Sequence, residues 1–241
     1  MFDKKATRDV CDVDIRRYDT KEPFLFFDTA NVTSQNFSGD SVYAMAKGSK
    51  RIAFSNPIEG TLTIEAQVFP FEMYALMSDG TVSSDAIFSV RKNISATTDG
   101  VLDIDVAAMT GTVFVFATGD FGGTAIEGTY SSGVFTATTP ADIATGVNYE
   151  VGYVVSKTSG VKRVSFNDEK QPKAYFITMS AVMKSEDDVL TPYMINCYKA
   201  QPQRNFEISQ SSEGDPTTLK ITFDLLADKD GNFTDMIEIT E

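Results

Sequence analysis

Between Thr61 and Val68 apolar and polar side chains alternate without a break: Leu62, Ile64, Ala66 and Val68 against Thr61, Thr63, Glu65 and Gln67. Successive side chains of a strand point to opposite faces, so the first set is expected in a core and the second in water. The stretch Thr218 to Leu225 has the same period, with Lys220, Thr222 and Asp224 on its polar face. Gly214-Asp215-Pro216 breaks the chain before that strand, and Asp230-Gly231-Asn232 turns it afterwards, because glycine accepts the positive φ of tight turns. Short apolar or alternating runs predict further strands at Phe24–Phe27, 82–92, Val101–Val106, Val113–Ala117, Val134–Thr138, Tyr149–Val155, Val161–Phe166, Tyr175–Met183, Tyr193–Lys199 and Phe206–Gln210. Only Pro70 to Met77 reads as a helix, of about two turns. Proline suits its first turn, apolar residues recur three and four apart, and Gly80 ends it. The fold class is therefore mainly β with one short helix.

The texture changes along the chain. Residues 1–20 are charged, with Arg16 and Arg17 against Asp9, Asp12 and Asp14, and are expected to form an N-terminal arm that gains order on a partner. Residues 31–50 hold few apolar side chains and read as a long exposed loop. Residues 96–158 are rich in Gly, Thr, Ala and Val, and Lys157 is their sole basic residue. Short strands at that spacing predict a small inserted β-sandwich. The texture of residues 21–95 returns from Val161, which makes 21–95 and 159–241 one discontinuous domain.

Composition removes several classes of chemistry. The chain has 241 residues, 42% of them apolar, enough for a core. Lys+Arg 21 against Asp+Glu 34 leaves a net charge of −13, which repels phosphate backbones and anionic lipid. There is no histidine, so Ser-His-Asp, Cys-His and His-based zinc sites are impossible. Cys11 and Cys197 are too few for a disulfide framework and read as reduced thiols of a protein that folds in a cytoplasm. The N-terminus lacks the apolar run of a signal peptide, and no stretch has the length of a membrane span.

The remaining motifs have plain structural readings. Asp228-Lys229-Asp230-Gly231-Asn232 has the carboxylates of a calcium loop, but its glycine comes fourth and its flanks are strands, so a hairpin turn is expected. Glu186-Asp187-Asp188 reads as a solvated hairpin tip. Ser131-Ser132-Gly133 lacks the spacing of a nucleophile elbow, and no glycine-rich phosphate loop carries a lysine. No catalytic residue, cofactor site or metal site is expected.

The order Phe206-Glu207-Ile208-Ser209, Glu213-Gly214-Asp215-Pro216, Leu219 to Ala227, Asp230-Gly231-Asn232 and Met236-Ile237-Glu238-Ile239 resembles the end of tail tube proteins of tailed bacteriophages. Ala46 to Phe54, Glu59 to Glu65, Phe69-Pro70-Phe71 and Ala75 to Ser78 resemble that family's N-terminal half, where a long loop precedes a hairpin and a helix. The resemblance covers about residues 20–92 and 160–240; segment 96–158 departs from it and is similar to the immunoglobulin-like insertions of some tail proteins.

The resemblance implies a tail-tube-type β-barrel or sandwich with one short helix and a small immunoglobulin-like insertion. It implies no enzyme but a virion protein, assembled in the host cytoplasm, whose hexameric rings stack into a tube around a channel for DNA. Its partners would be itself and other tail proteins, with DNA passing without specific binding and no membrane involved. Thr61, Thr63, Glu65, Gln67, Lys220, Thr222 and Asp224 are the candidates to line the channel. Arg16, Arg17, Lys47, Lys50 and Arg51 are the candidates for contacts between stacked rings. The alternative is a phage fibre or adhesin-type β-sandwich that binds a receptor, and filament formation separates the two.

Overall fold

The computed structural model describes residues 4–8, 10–208 and 216–240. Its strands are β1 (Lys5–Ala6), β2 (Asp12–Arg17), β3 (Pro23–Phe27), β4 (Ala30–Ser38), β5 (Ser41–Ala46), β6 (Ser49–Ser55) and β7 (Glu59–Ala66). Helix α1 (Met73–Leu76) follows, then β8 (Ala86–Ser95), β9 (Val101–Asp103), β10 (Phe114–Ala117), β11 (Gly128–Ser131), β12 (Val134–Ala137) and β13 (Asn148–Lys157). The chain ends with β14 (Tyr175–Ser185), β15 (Leu190–Pro202), β16 (Leu219–Leu225) and β17 (Thr234–Glu238). The mainly β class with one short helix is as the pattern predicts. The chain divides into two compact units, 1–81 with 164–241, and 82–163.

The first unit is built on one sheet in the order β3-β2-β14-β15-β16-β7-β4, with β1 added to β14 and β17 to β15. The long strand β15 serves two partners on one edge: Tyr193–Cys197 pair with β17, and Ala200–Pro202 pair with β16. Side chains from β2, β7, β14, β15 and β16 meet in a single core with Met73, Leu76 and Met77 around the helix. Period-two alternation explains the membership. Leu62, Ile64 and Ala66 of β7 and Leu219, Ile221, Phe223 and Leu225 of β16 are all buried. Among the described residues no ladder joins β4 to β17, so the sheet is not a closed barrel. Side chains do cross there: the Gln35 amide of β4 reaches the Thr234 hydroxyl of β17 at 3.5 Å and donates to the Cys197 sulfur of β15 at 3.1 Å.

Several local expectations are corrected. The helix is one turn, not two, because Pro70 to Glu72 form a turn before it. Residues 12–17 of the expected arm are not free: β2 pairs with β14 and β3, and Val13 and Ile15 are wholly buried. Segment 31–50 is not a loop, since it carries β4 and a β5–β6 hairpin. Val161–Phe166 holds no strand beyond a single Arg163–Ser83 bridge. Phe206–Ile208 is irregular, while Ser209 and Gln210 of that expected strand, and Gly214 and Asp215, lie outside the described residues.

The second unit is a sandwich of two three-stranded sheets, β10-β13-β8 and β11-β12-β9. Leu102, Phe135 and Ala137 of one sheet meet Val115, Val151, Tyr153 and Val155 of the other in its core. Strand β8, which texture alone assigns to the parent domain, pairs along its whole length with β13.

Candidate functional site

The polar residues singled out on β7 and β16 are brought together by register. Lys220 stands opposite Glu65, Thr222 opposite Thr63 and Asp224 opposite Thr61. The Lys220 ammonium lies 2.9 Å from the Glu65 carboxylate, and the Thr63 and Thr222 hydroxyls are 3.3 Å apart. Gln67, just past β7, donates to the Thr218 hydroxyl at 3.4 Å, and Gln203 donates to Asp224 at 2.6 Å. Strand β4 extends the same face, because Ser34 pairs with Thr63 and Asn36 with Thr61. Hydroxyls and amides dominate this three-strand surface, and its one lysine is matched by a carboxylate.

Phe37 of β4 packs its ring on Gly60, where an added Cβ would lie 2.9 Å from the ring, so any other residue there would displace the ring. Nothing in the alternation of β7 reveals that need.

The five basic candidates separate into two groups. Arg16 bonds Asp14 at 2.8 Å, and Arg17 donates to the Gly80 carbonyl at 2.9 Å while its guanidinium lies over the Phe24 ring at 4.8 Å. Arg17 therefore ties β2 to the Gly80 turn and to β3, whereas Arg16 is paired within its own strand. Lys47, Lys50 and Arg51 instead ride on the β5–β6 hairpin, whose turn is Lys47-Gly48, both with positive φ. That two-residue turn fits the right-handed twist of paired strands. Lysine is an unusual occupant of such a position, which is why composition alone reads the segment as a loop.

The hairpin pairs with no third strand among the described residues, and its side chains are almost all exposed. Val42 pairs with Phe54 and Ala44 with Ile52, which places four apolar side chains on one face. Val42 is 59% exposed, Ile52 57% and Phe54 59%. An isolated two-stranded ribbon is marginal in water, and an apolar face of this kind is usually covered. The sequence holds the signal in the alternation of Val42 and Ala44 and of Ile52 and Phe54, on either side of Lys47-Gly48. The hairpin has three basic residues (Lys47, Lys50, Arg51) and no acidic one, in a chain of net charge −13.

The acidic turn at Asp228 is closed on itself. Its carboxylate accepts the N–H groups of Asp230 at 2.9 Å and Asn232 at 2.8 Å, and these bonds hold it below the ordinary range of an aspartate. Among the described residues no group of three or more His, Cys, Asp or Glu side chains is placed to hold a metal ion. No helix there is long and apolar enough to cross a membrane.

The sequence pattern of the YomU/Tube protein family matches residues 6–239. No curated protein matches the chain. With nearly the whole length covered, the chain belongs to that family, a phage-associated family of tube proteins.

Proposed function

We propose that this member of the tube family is the building block of a phage tail tube. Copies close into hexameric rings, the rings stack, and the genome passes through the channel they enclose. The observation that carries the reading is the β5–β6 hairpin, an apolar and basic ribbon with no third strand to pair with among the described residues of its own chain. A second copy of this acidic chain supplies both apolar contact and opposite charge. The contact is head-to-tail, and a head-to-tail contact polymerises.

The polar face of β4, β7 and β16 lines the channel in this reading. Phosphate contacts by Lys and Arg create affinity for DNA, and a wall of hydroxyls, amides and a neutralised lysine offers few of them. The edges of β3, β4 and β17 that carry no partner among the described residues supply strand pairing between neighbours within a ring, which removes exposed edges. The protein is then structural rather than catalytic, a virion component whose partners are its own copies and other tail proteins. Negative-stain microscopy of the purified chain at rising concentration, alone and with its tail assembly factors, tests this. Rings or hollow tubes are the expected result, and a chain that stays monomeric in both conditions rejects it.

A further inference from the structure

The outer face of the sheet β10-β13-β8 carries a hollow of about 580 Å³, lined by residues of the second unit alone. Its geometry follows from one row across three strands. Phe114 of β10 pairs with Gly152 of β13, and Gly152 pairs with Arg91 of β8. The row therefore reads aromatic ring, gap, guanidinium. Phe121 folds down onto the gap: a Cβ at Gly152 would stand 2.8 Å from its ring, so any other residue there would displace it.

Three contacts fix Phe121 and the loop that carries it. Its ring lies 5.1 Å from Phe116 and 4.4 Å from the Arg91 guanidinium. Arg91 donates to the Glu150 carboxylate at 2.6 Å, and the other oxygen of Glu150 accepts the Gly119 N–H at 3.2 Å. Glu150 is itself buried at 7% exposure. The site is thus built in advance by a buried carboxylate, which is how a shallow hollow keeps its shape without ligand. Phe114 and Phe121 nevertheless remain 52% and 44% exposed, and Ser89 stands at the rim.

We infer that this hollow binds a neutral sugar ring, the C–H face of the sugar on the two phenylalanines and its hydroxyls toward Arg91 and Ser89. The lining decides among chemistries. A phosphate or polyanion needs net positive charge, but Glu150 neutralises Arg91, and the chain as a whole repels anions. A hydrocarbon chain would cover the remaining guanidinium N–H groups and leave them without acceptors, which is costly. A neutral ring with an apolar face and a hydroxyl edge satisfies both halves of the lining, the usual composition of a small-molecule site.

Saturation-transfer difference NMR on the full chain tests this, because it reads ligand protons and works on monomers and tubes alike. The probes are the methyl glycosides of glucose, galactose and N-acetylglucosamine, with inorganic phosphate and octanoate as competitors. The expected result is transfer to ring protons of at least one glycoside. Phe121→Ser and the more exposed Phe114→Ser should each lower that transfer at least fivefold, with melting of Phe114→Ser unchanged. No transfer to any of the three glycosides, equal transfer in both variants, or displacement by octanoate or phosphate overturns the inference. None of these readouts depends on tube formation.

Discussion

Glu65 on β7 and Lys220 on β16 stand directly opposite each other in the antiparallel ladder, carboxylate to ammonium at 2.9 Å, on the face away from the core. Residues so paired are as close as side chains on neighbouring strands come, so their charges are read together. The pair makes the only lysine of the β4, β7 and β16 face a local dipole rather than a free cation.

Replacing Glu65 and Asp224 together with lysine inverts that arrangement. Like charges directly opposite cost up to about 1 kcal/mol, a fall of roughly 2–4 °C in melting for a chain of this size. Tubes should still form. Virions built from the variant should eject their genome more slowly at low salt, where attraction to phosphate is least screened, and recover as salt rises. Ejection indistinguishable from that of the parent at low salt removes this face from the channel.

The hairpin gives the opposite signature. Val42 and Phe54 face each other across the ladder but join no core, so Val42→Ser and Phe54→Ser should each change stability by no more than about 0.5 kcal/mol. Each should abolish stacking all the same. Parallel thermal melts and electron microscopy check this. A large loss of stability would mean the hairpin folds back onto its own chain, and normal tubes would mean that it is not an interface.

Strand β2 belongs to the fold. Ile15 is wholly buried and pairs with Ile177 and Leu25, so Ile15→Ala should cost about 2–5 kcal/mol. Removal of residues 1–20 should destroy the cooperative melt of the first unit rather than merely block assembly. A truncated chain that melts as the parent does would show that β14 needs no partner on that edge.

The parts legible in the sequence are those with uninterrupted periodicity. Strands β7 and β16 can be placed, faced and assigned polar residues because Leu62, Ile64, Ile221 and Phe223 recur at every second position in a half-buried sheet. Strand β2 is illegible for the converse reason. Its two buried residues, Val13 and Ile15, sit among Asp12, Asp14, Arg16 and Arg17, and the charged side chains dominate any reading by composition. The hairpin escapes notice because its turn uses Lys47 in a conformation usually read from Asn or Asp. Pairing between strands distant in sequence, such as β8 with β13 or β2 with β14, depends on tertiary geometry that no local pattern records.

Burial raises the Cys197 thiol to about 11 and the Tyr175 phenol to about 12, from ordinary values of 9.0 and 10.0. Both groups are neutral when protonated, and the folded state keeps protons that the unfolded chain gives up sooner. Their contribution to stability is therefore whole below about pH 9 and is lost as pH rises toward 11–12, up to roughly 2–3 kcal/mol for each group. Urea melts from pH 8 to 11 should show stability declining only above pH 9. Iodoacetamide at pH 8 should leave Cys197 unlabelled until the chain unfolds, since only the thiolate reacts. Labelling at Cys197 itself in the native chain at that pH, located by peptide mapping to tell it from Cys11, would mean that the Gln35 contact opens readily.

The boundary of the second unit decides the last prediction. Sequence texture sets the insertion at 96–158, whereas the compact unit spans 82–163 and uses β8 as a full partner of β13. Both ends of that unit meet in the Ser83–Arg163 pair, whose two backbone hydrogen bonds measure 2.9 and 2.8 Å. A segment whose ends are already adjacent can be excised and its flanks rejoined with little loop-closure cost. Joining Thr81 to Val164 should therefore leave the first unit with a cooperative melt and the capacity to form tubes. Removing only 96–158 should do worse, because it deletes β13 and leaves the ten residues of β8, with exposed Ile87 and Phe88, as an unpaired strand. An unpaired strand of that length is an aggregation hazard. Light scattering on heating should rise for the shorter deletion and not for the longer one. If instead the longer deletion fails to fold, the first unit depends on the second and the two are one domain.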